Sequence, residues 1–137
     1  MPEETDSSPA RQPRGRTLHL TPEAVWLSRA EAATYQPEPF ATEGFIHCTD
    51  GEANLINVAN RYYRRDPRPH VVLVIDLERV TAPIRYEDPE RIYPHLYGPL
   101  NREAVVAVRV IARRDDGTFL GVHDVADDTD GSAERSG

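Results

Sequence analysis

The chain has 137 residues, room for one domain and too little for two, and its 16 basic against 23 acidic side chains leave a net charge of -7, which argues against broad binding to nucleic acid or anionic membrane. Every basic side chain is arginine, which excludes Schiff-base and P-loop lysine chemistry but keeps arginine clamps for carboxylate or phosphate. The single cysteine excludes an internal disulfide and a zinc site built on several thiolates, and the longest apolar run, five residues from Val71 to Ile75, falls far short of a membrane span, so a cytoplasmic protein is expected.

Residues 1–16 contain no Ile, Leu, Val or aromatic side chain, and residues 123–137 hold only Val125. Both read as disordered tails around one folded unit at 17–122; the second tail sets five acids against one Arg. Leu18, His19 and Leu20 read as a first strand, the leucines on one face and His19 on the other. Thr21 reads as the N-cap of a helix with Pro22 at its first position, Trp26, Ala30 and Ala33 on its buried side, and its end before Gln36 and Pro37. Residues 44–48 read as a strand. Thr49 or Asp50 then caps a second helix whose Leu55, Val58, Ala59 and Tyr62 repeat at the helical period.

Residues 71–77 are almost continuously apolar and β-branched, the pattern of a central strand covered on both faces. Residues 83–87 and 91–93 are weaker strand candidates and 104–111 a strong one. Asp115, Asp116 and Gly117 predict a turn that returns 119–122 as a hairpin partner. Two early helices and a strand-rich second half give an α+β fold rather than a doubly wound sheet, and neither G-x-G-x-x-G nor G-x-x-x-x-G-K is present.

Four polar residues fall where the core pattern does not need them. His19 lies between two strand leucines; His47 shares a face with Phe45 while Ile46 and Cys48 point the other way; Glu87 ends a strand opposite Tyr86. His95 lies in the aromatic and proline-rich run 93–99, of a type that lines pockets. Each has a plainer reading, since a strand histidine can satisfy a backbone carbonyl or face water. On separate elements, the four can also converge on one cleft. The three histidines with an acid would suffice for a catalytic zinc, but H-x-x-x-H, H-x-H and C-x-x-C spacings are lacking, so no metal is expected. Cys48 reads as a small buried hydrophobe. Arg61, Arg64, Arg65 and Arg68 read as a solvated helix end favourable to the helix dipole, with phosphate contact as the alternative, and Tyr62 as core.

One set of segments resembles a known family. Leu18-His19-Leu20-Thr21, Trp26, Ala32-x-x-Tyr35, Glu43-Gly44-Phe45-Ile46-His47-Cys48-Thr49, Asn60-x-Tyr62-Tyr63, Tyr86-Glu87, Pro94-His95-Leu96-Tyr97-Gly98-Pro99-Leu100 and Ala104-Val105-Val106 resemble, in that order, the DUF952 family of small bacterial proteins. The resemblance implies an ADP-ribosyltransferase-like split β-sheet with two helices in the N-terminal half, and a cleft for NAD or an ADP-ribose-like nucleotide. On that implication His19, Thr21, Phe45, His47 and Tyr97 bind the ligand, and Glu87 and His95 are the catalytic candidates of an NAD-dependent ADP-ribosyl-type transferase. A non-catalytic small-molecule-binding module, an RNA 2′-phosphotransferase-like enzyme and a toxin or immunity-type interaction protein stand as alternatives. The implied partner is a small nucleotide; protein partners are left open.

Overall fold

The computed structural model describes residues 15–124. The tails read at 1–16 and 123–137 lie outside the described residues apart from Gly15, Arg16, His123 and Asp124, the last three of which are in strands. In chain order the elements are β1 (Arg16–Pro22), α1 (Glu23–Ser28), β2 (Thr34–Tyr35), α2 (Phe40–Glu43), β3 (Ile46–His47), α3 (Glu52–Tyr62), β4 (His70–Asp76), β5 (Ile84–Tyr86), β6 (Pro94–Leu96), β7 (Leu100–Asn101), β8 (Val105–Arg113) and β9 (Phe119–Asp124). Short 3-10 turns follow β4 and β7, at Leu77–Arg79 and Arg102–Ala104. The fold is α+β with antiparallel pairing throughout the described strands. No helix among the described residues is long and apolar enough to cross a membrane.

The large sheet runs β9-β8-β4-β1. Its inner strand β4 is buried over His70 to Ile75, as the apolar run predicts. Alternation sends Val71, Leu73 and Ile75 into one core with Tyr35, Ile46, Leu96 and Leu100, and Val72 into a second core with Leu20, Leu55, Ala59 and Phe119. Helix α3 therefore covers one face of the large sheet, and a small three-stranded sheet, β3-β6-β5, covers the other with Ile46, Leu96 and Ile84. The two sheets meet at one antiparallel bridge, Leu18 to Thr49, made by a reciprocal pair of backbone bonds of 3.0 and 2.8 Å.

Several boundaries differ from expectation, each for a local reason. Thr21 is the penultimate residue of β1 rather than a helix cap, because its hydroxyl is buried against the Tyr35 hydroxyl at 2.8 Å. Helix α1 stops at Ser28, so Val25 is its buried residue while Ala30 and Ala33 are exposed. Neither Thr49 nor Asp50 caps α3: Thr49 forms the inter-sheet bridge, Asp50 accepts the Tyr86 hydroxyl at 2.6 Å, and Gly51 takes the N-cap position at φ 90°. The inward row of α3 is Leu55 and Ala59 and continues at Tyr63, which packs on that core just past the helix end; Tyr62 is 67% exposed and is not core. Residues 91–93 are not a strand. The Asp88 carboxylate accepts the Ile92 and Tyr93 backbone N–H groups at 3.0 and 3.1 Å, so the chain turns there and pairs only from Pro94.

Candidate functional site

The small sheet has one greasy face and one chemical face. Register pairs His47 with His95 and His95 with Arg85, and pairs Ile46 with Leu96 and Leu96 with Ile84. Because side chains alternate, burying Ile46, Leu96 and Ile84 forces Phe45, His47, Arg85, Glu87, His95 and Tyr97 to the opposite side. There Phe45 stacks on His95 with ring centroids 4.4 Å apart, and His47 meets His95 edge-on at 5.1 Å.

Each of the two imidazoles is held by its own carboxylate. His47 Nε2 lies 2.8 Å from Glu43 Oε1, and His95 Nδ1 lies 3.0 Å from Glu87 Oε1. The Tyr97 hydroxyl donates to the same Glu87 oxygen at 2.5 Å, and the Arg85 guanidinium lies over the Tyr97 ring at 4.9 Å. Bonds from Tyr97 and His95 hold the Glu87 carboxyl below the usual glutamate range, and the bond to Glu87 holds the Tyr97 phenol above its own.

His47, His95 and Glu87 open on a cleft of about 740 Å³ between this sheet and α3. The helix side contributes Asn57, Arg61 and Tyr62; Tyr93, Asp88 and Glu43 complete the sheet side. Arg61 makes no ion pair or hydrogen bond among the described residues and lies 5.5 Å from the Tyr62 ring centroid. Tyr93 is signalled only as the first residue of the pocket-lining run 93–99, and Tyr62 does not stand out in the sequence as a site residue, since the helical period assigns it to the core.

The other two sequence candidates lie behind this face. His19 is 5% exposed and Thr21 is buried, and both line, with Phe45, an adjoining recess of about 80 Å³, room for a few waters, that shares His47, Thr49, Val58 and Tyr63 with the larger cleft. His19 Nδ1 donates to the His47 carbonyl at 2.7 Å, and its Nε2 lies 3.1 Å from the Tyr35 hydroxyl. Burial pushes the His19 imidazole down to about 4, against the pull of the His47 carbonyl, so the ring is neutral. A neutral ring that donates from Nδ1 accepts at Nε2; the Tyr35 proton therefore goes to His19, and Thr21 supplies the hydrogen of the Thr21–Tyr35 contact. Both His19 nitrogens are thus spent inside the fold. The plainer reading of a strand histidine describes His19.

The remaining candidates are also accounted for. Cys48 is buried, and burial pushes its thiol well above the usual range. Arg64 pairs with Asp116, and Arg68 with Asp66 and Glu38. Among the described residues no group of three or more His, Cys, Asp or Glu side chains is placed to hold a metal ion.

The sequence model of the family described as "Protein of unknown function (DUF952)" matches residues 20–108. No curated protein matches the chain. Among solved structures, the crystal structure of protein CC0527 from Caulobacter crescentus is similar, at 19% identity, with a TM-score of 0.66 over 77% of this chain and 94% of that one. A crystal structure of its double mutant gives 0.65, and its solution structure 0.59 over 85% and 98% of the respective chains. At that identity the likeness concerns the fold.

Proposed function

The chain belongs to the DUF952 family, and on that premise we propose that its cleft binds NAD or an ADP-ribose-like nucleotide, as a relative of the ADP-ribosyltransferase-like fold. The observation that carries the reading is the separation of charge across the cleft. The sheet side offers the carboxylates of Glu43, Glu87 and Asp88, and the helix side offers Arg61, uncommitted to any ion pair among the described residues, beside the exposed ring of Tyr62. NAD has the complementary pattern: a cationic pyridinium ribose at one end, and a diphosphate with a stackable adenine at the other. The division into two sheets joined at the Leu18–Thr49 bridge is compatible with a split-sheet fold.

In this reading His47, His95 and Glu87 face the nicotinamide ribose, Phe45 and Tyr97 fix the imidazole and the carboxylate, and Arg61 meets the diphosphate. His19 and Thr21 support His47 from behind instead of touching the ligand. A non-catalytic binding module is the second reading, favoured by the way Glu87, His95 and Tyr97 already satisfy one another. Ligand-observed NMR and thermal-shift titrations with NAD and ADP-ribose test the proposal. Saturable binding, weakened by His47→Ala and by Arg61→Ala, is expected; no signal from either ligand at millimolar concentration overturns it. Binding with no release of nicotinamide identifies the second reading.

A further inference from the structure

We propose that His95 is the proton acceptor of a hydrolytic step in this cleft, its Nε2 taking a proton from water that attacks the ribosyl carbon of a cationic N-glycoside, with Glu87 as the positioning residue that holds the ring. The inference rests on the nucleotide reading above and adds to it a reaction class, hydrolysis, and a division of labour between the two residues.

The geometry assigns the roles. Glu87 Oε1 accepts from His95 Nδ1 at 3.0 Å, so the proton of a neutral ring sits on Nδ1 and the lone pair on Nε2. His95 Nε2 has no partner among the described residues and is not buried, and the residue lines the cleft. The ring cannot easily turn away, because Phe45 stacks on its plane and His47 abuts its edge. Glu87 is itself fixed by the Tyr97 hydroxyl at 2.5 Å. A base oriented by a carboxylate, which is in turn oriented by a third group, is the arrangement that proton abstraction requires. His47 has the same kind of partner, but its side chain is 49% exposed against 20% for His95, so its orientation is less constrained.

The surroundings select the substrate class. Around His95 stand His47 from β3, Arg85 from β5, Glu87 just past the end of that strand, Glu43 from α2, Arg61 from α3 and Asp88 from the following turn. Of the charged groups that line the cleft, three are carboxylates and one is an arginine. Such a field opposes an anion at the reacting centre and favours positive charge developing on a ribosyl ring. The step balances: the water oxygen bonds to the ribosyl carbon as the carbon–nitrogen bond breaks. The electron pair of that bond neutralises the departing pyridinium nitrogen, and the water proton passes to His95 Nε2 and on to solvent. No oxidant, reductant or further reactant is needed.

The test measures NAD affinity and nicotinamide release on the full chain, with an independent tautomer measurement. His95→Asn keeps a donor for Glu87 but has no base at the Nε2 position; at saturating NAD it is expected to lose release by about 10²-fold or more. His95→Ala is expected to lose release likewise and to regain part of it on addition of imidazole, which a merely structural role would not allow. In the ligand-free protein, ¹⁵N NMR of the ring is expected to show protonated Nδ1 and unprotonated Nε2. Unchanged release in His95→Asn, wild-type binding without release, or a ring protonated at Nε2 alone overturns the inference and leaves the binding proposal standing. Failure to bind NAD at all overturns both.

Discussion

His19 Nδ1 and the main-chain oxygen of His47 lie 2.7 Å apart, so a side chain of the large sheet holds the backbone of the strand that presents the cleft. Because that imidazole is buried and neutral down to about 4, the tether couples folding to pH. In the unfolded chain His19 takes up its proton near the ordinary 6.5. Above that value neither state binds the proton and the contribution is constant. As pH falls from 6.5 toward 4, the unfolded state gains a proton that the fold refuses, and stability drops, by on the order of 3 kcal/mol in all. His19→Asn keeps a donor near the Nδ1 position and does not titrate. Urea unfolding at a series of pH values is expected to show a shallower acid decline for His19→Asn than for wild type; parallel declines exclude His19 as the source.

Asn60 clamps the last strand. Its Oδ1 accepts the Phe119 N–H at 2.7 Å and its Nδ2 donates to the Phe119 oxygen at 3.1 Å, beside the irregularity where β9 slips against β8 between Phe119 and Gly121. Asn60→Ala leaves both Phe119 groups without that partner and is expected to cost about 1–3 kcal/mol. Amide exchange should rise along β9 while β4 keeps its protection. A uniform rise across both strands would mean that the clamp supports the whole fold and not this strand.

Gly117 sits at φ 96°, and a Cβ there would lie 2.2 Å from the Arg64 carbonyl oxygen. Gly44 has a similar φ of 79° but open space around it. Gly44→Ala should therefore cost only the backbone term, about 1 kcal/mol, and Gly117→Ala clearly more, because the Arg113–Arg64 contact beside it must also move. Chemical denaturation of the two variants side by side checks this; equal losses would show that the hairpin yields freely.

Cys48 is 2% exposed, and burial disfavours its thiolate. In native buffer a disulfide reagent such as DTNB is expected to react far more slowly than with a free thiol and to reach full rate only in denaturant. Rapid native labelling would show that the segment between β3 and α3 opens readily.

What the sequence made legible follows from period and composition. Strand β4 is readable because a short uninterrupted apolar, β-branched run fits a strand buried on both faces, and the β8–β9 hairpin because Asp116-Gly117 marks its turn. The site face was partly readable: alternation alone places Phe45 with His47 and separates both from Ile46. Joining them to His95 and Glu87 required the register of β3, β6 and β5, which two- and three-residue strands are too short to announce. His19 obeys the same alternation but lies in a strand covered on both sides, so the pattern that exposes His47 buries His19. Tyr62 and Tyr63 exchange places because the buried row of α3 runs Leu55, Ala59, Tyr63 at steps of four, whereas the step of three from Leu55 to Val58 leads on to the exposed Tyr62.

The alternation within the small sheet has an evolutionary corollary. Ile46, Leu96 and Ile84 answer to the interior, and His47, His95 and Glu87, with Phe45, Tyr97 and Arg85 packed around them, to whatever enters the cleft, so neighbouring codons are under different selection. The outward set can drift toward a new ligand while the inward set holds the architecture. Homologues that have changed substrate should therefore differ at every second position of β3, β5 and β6.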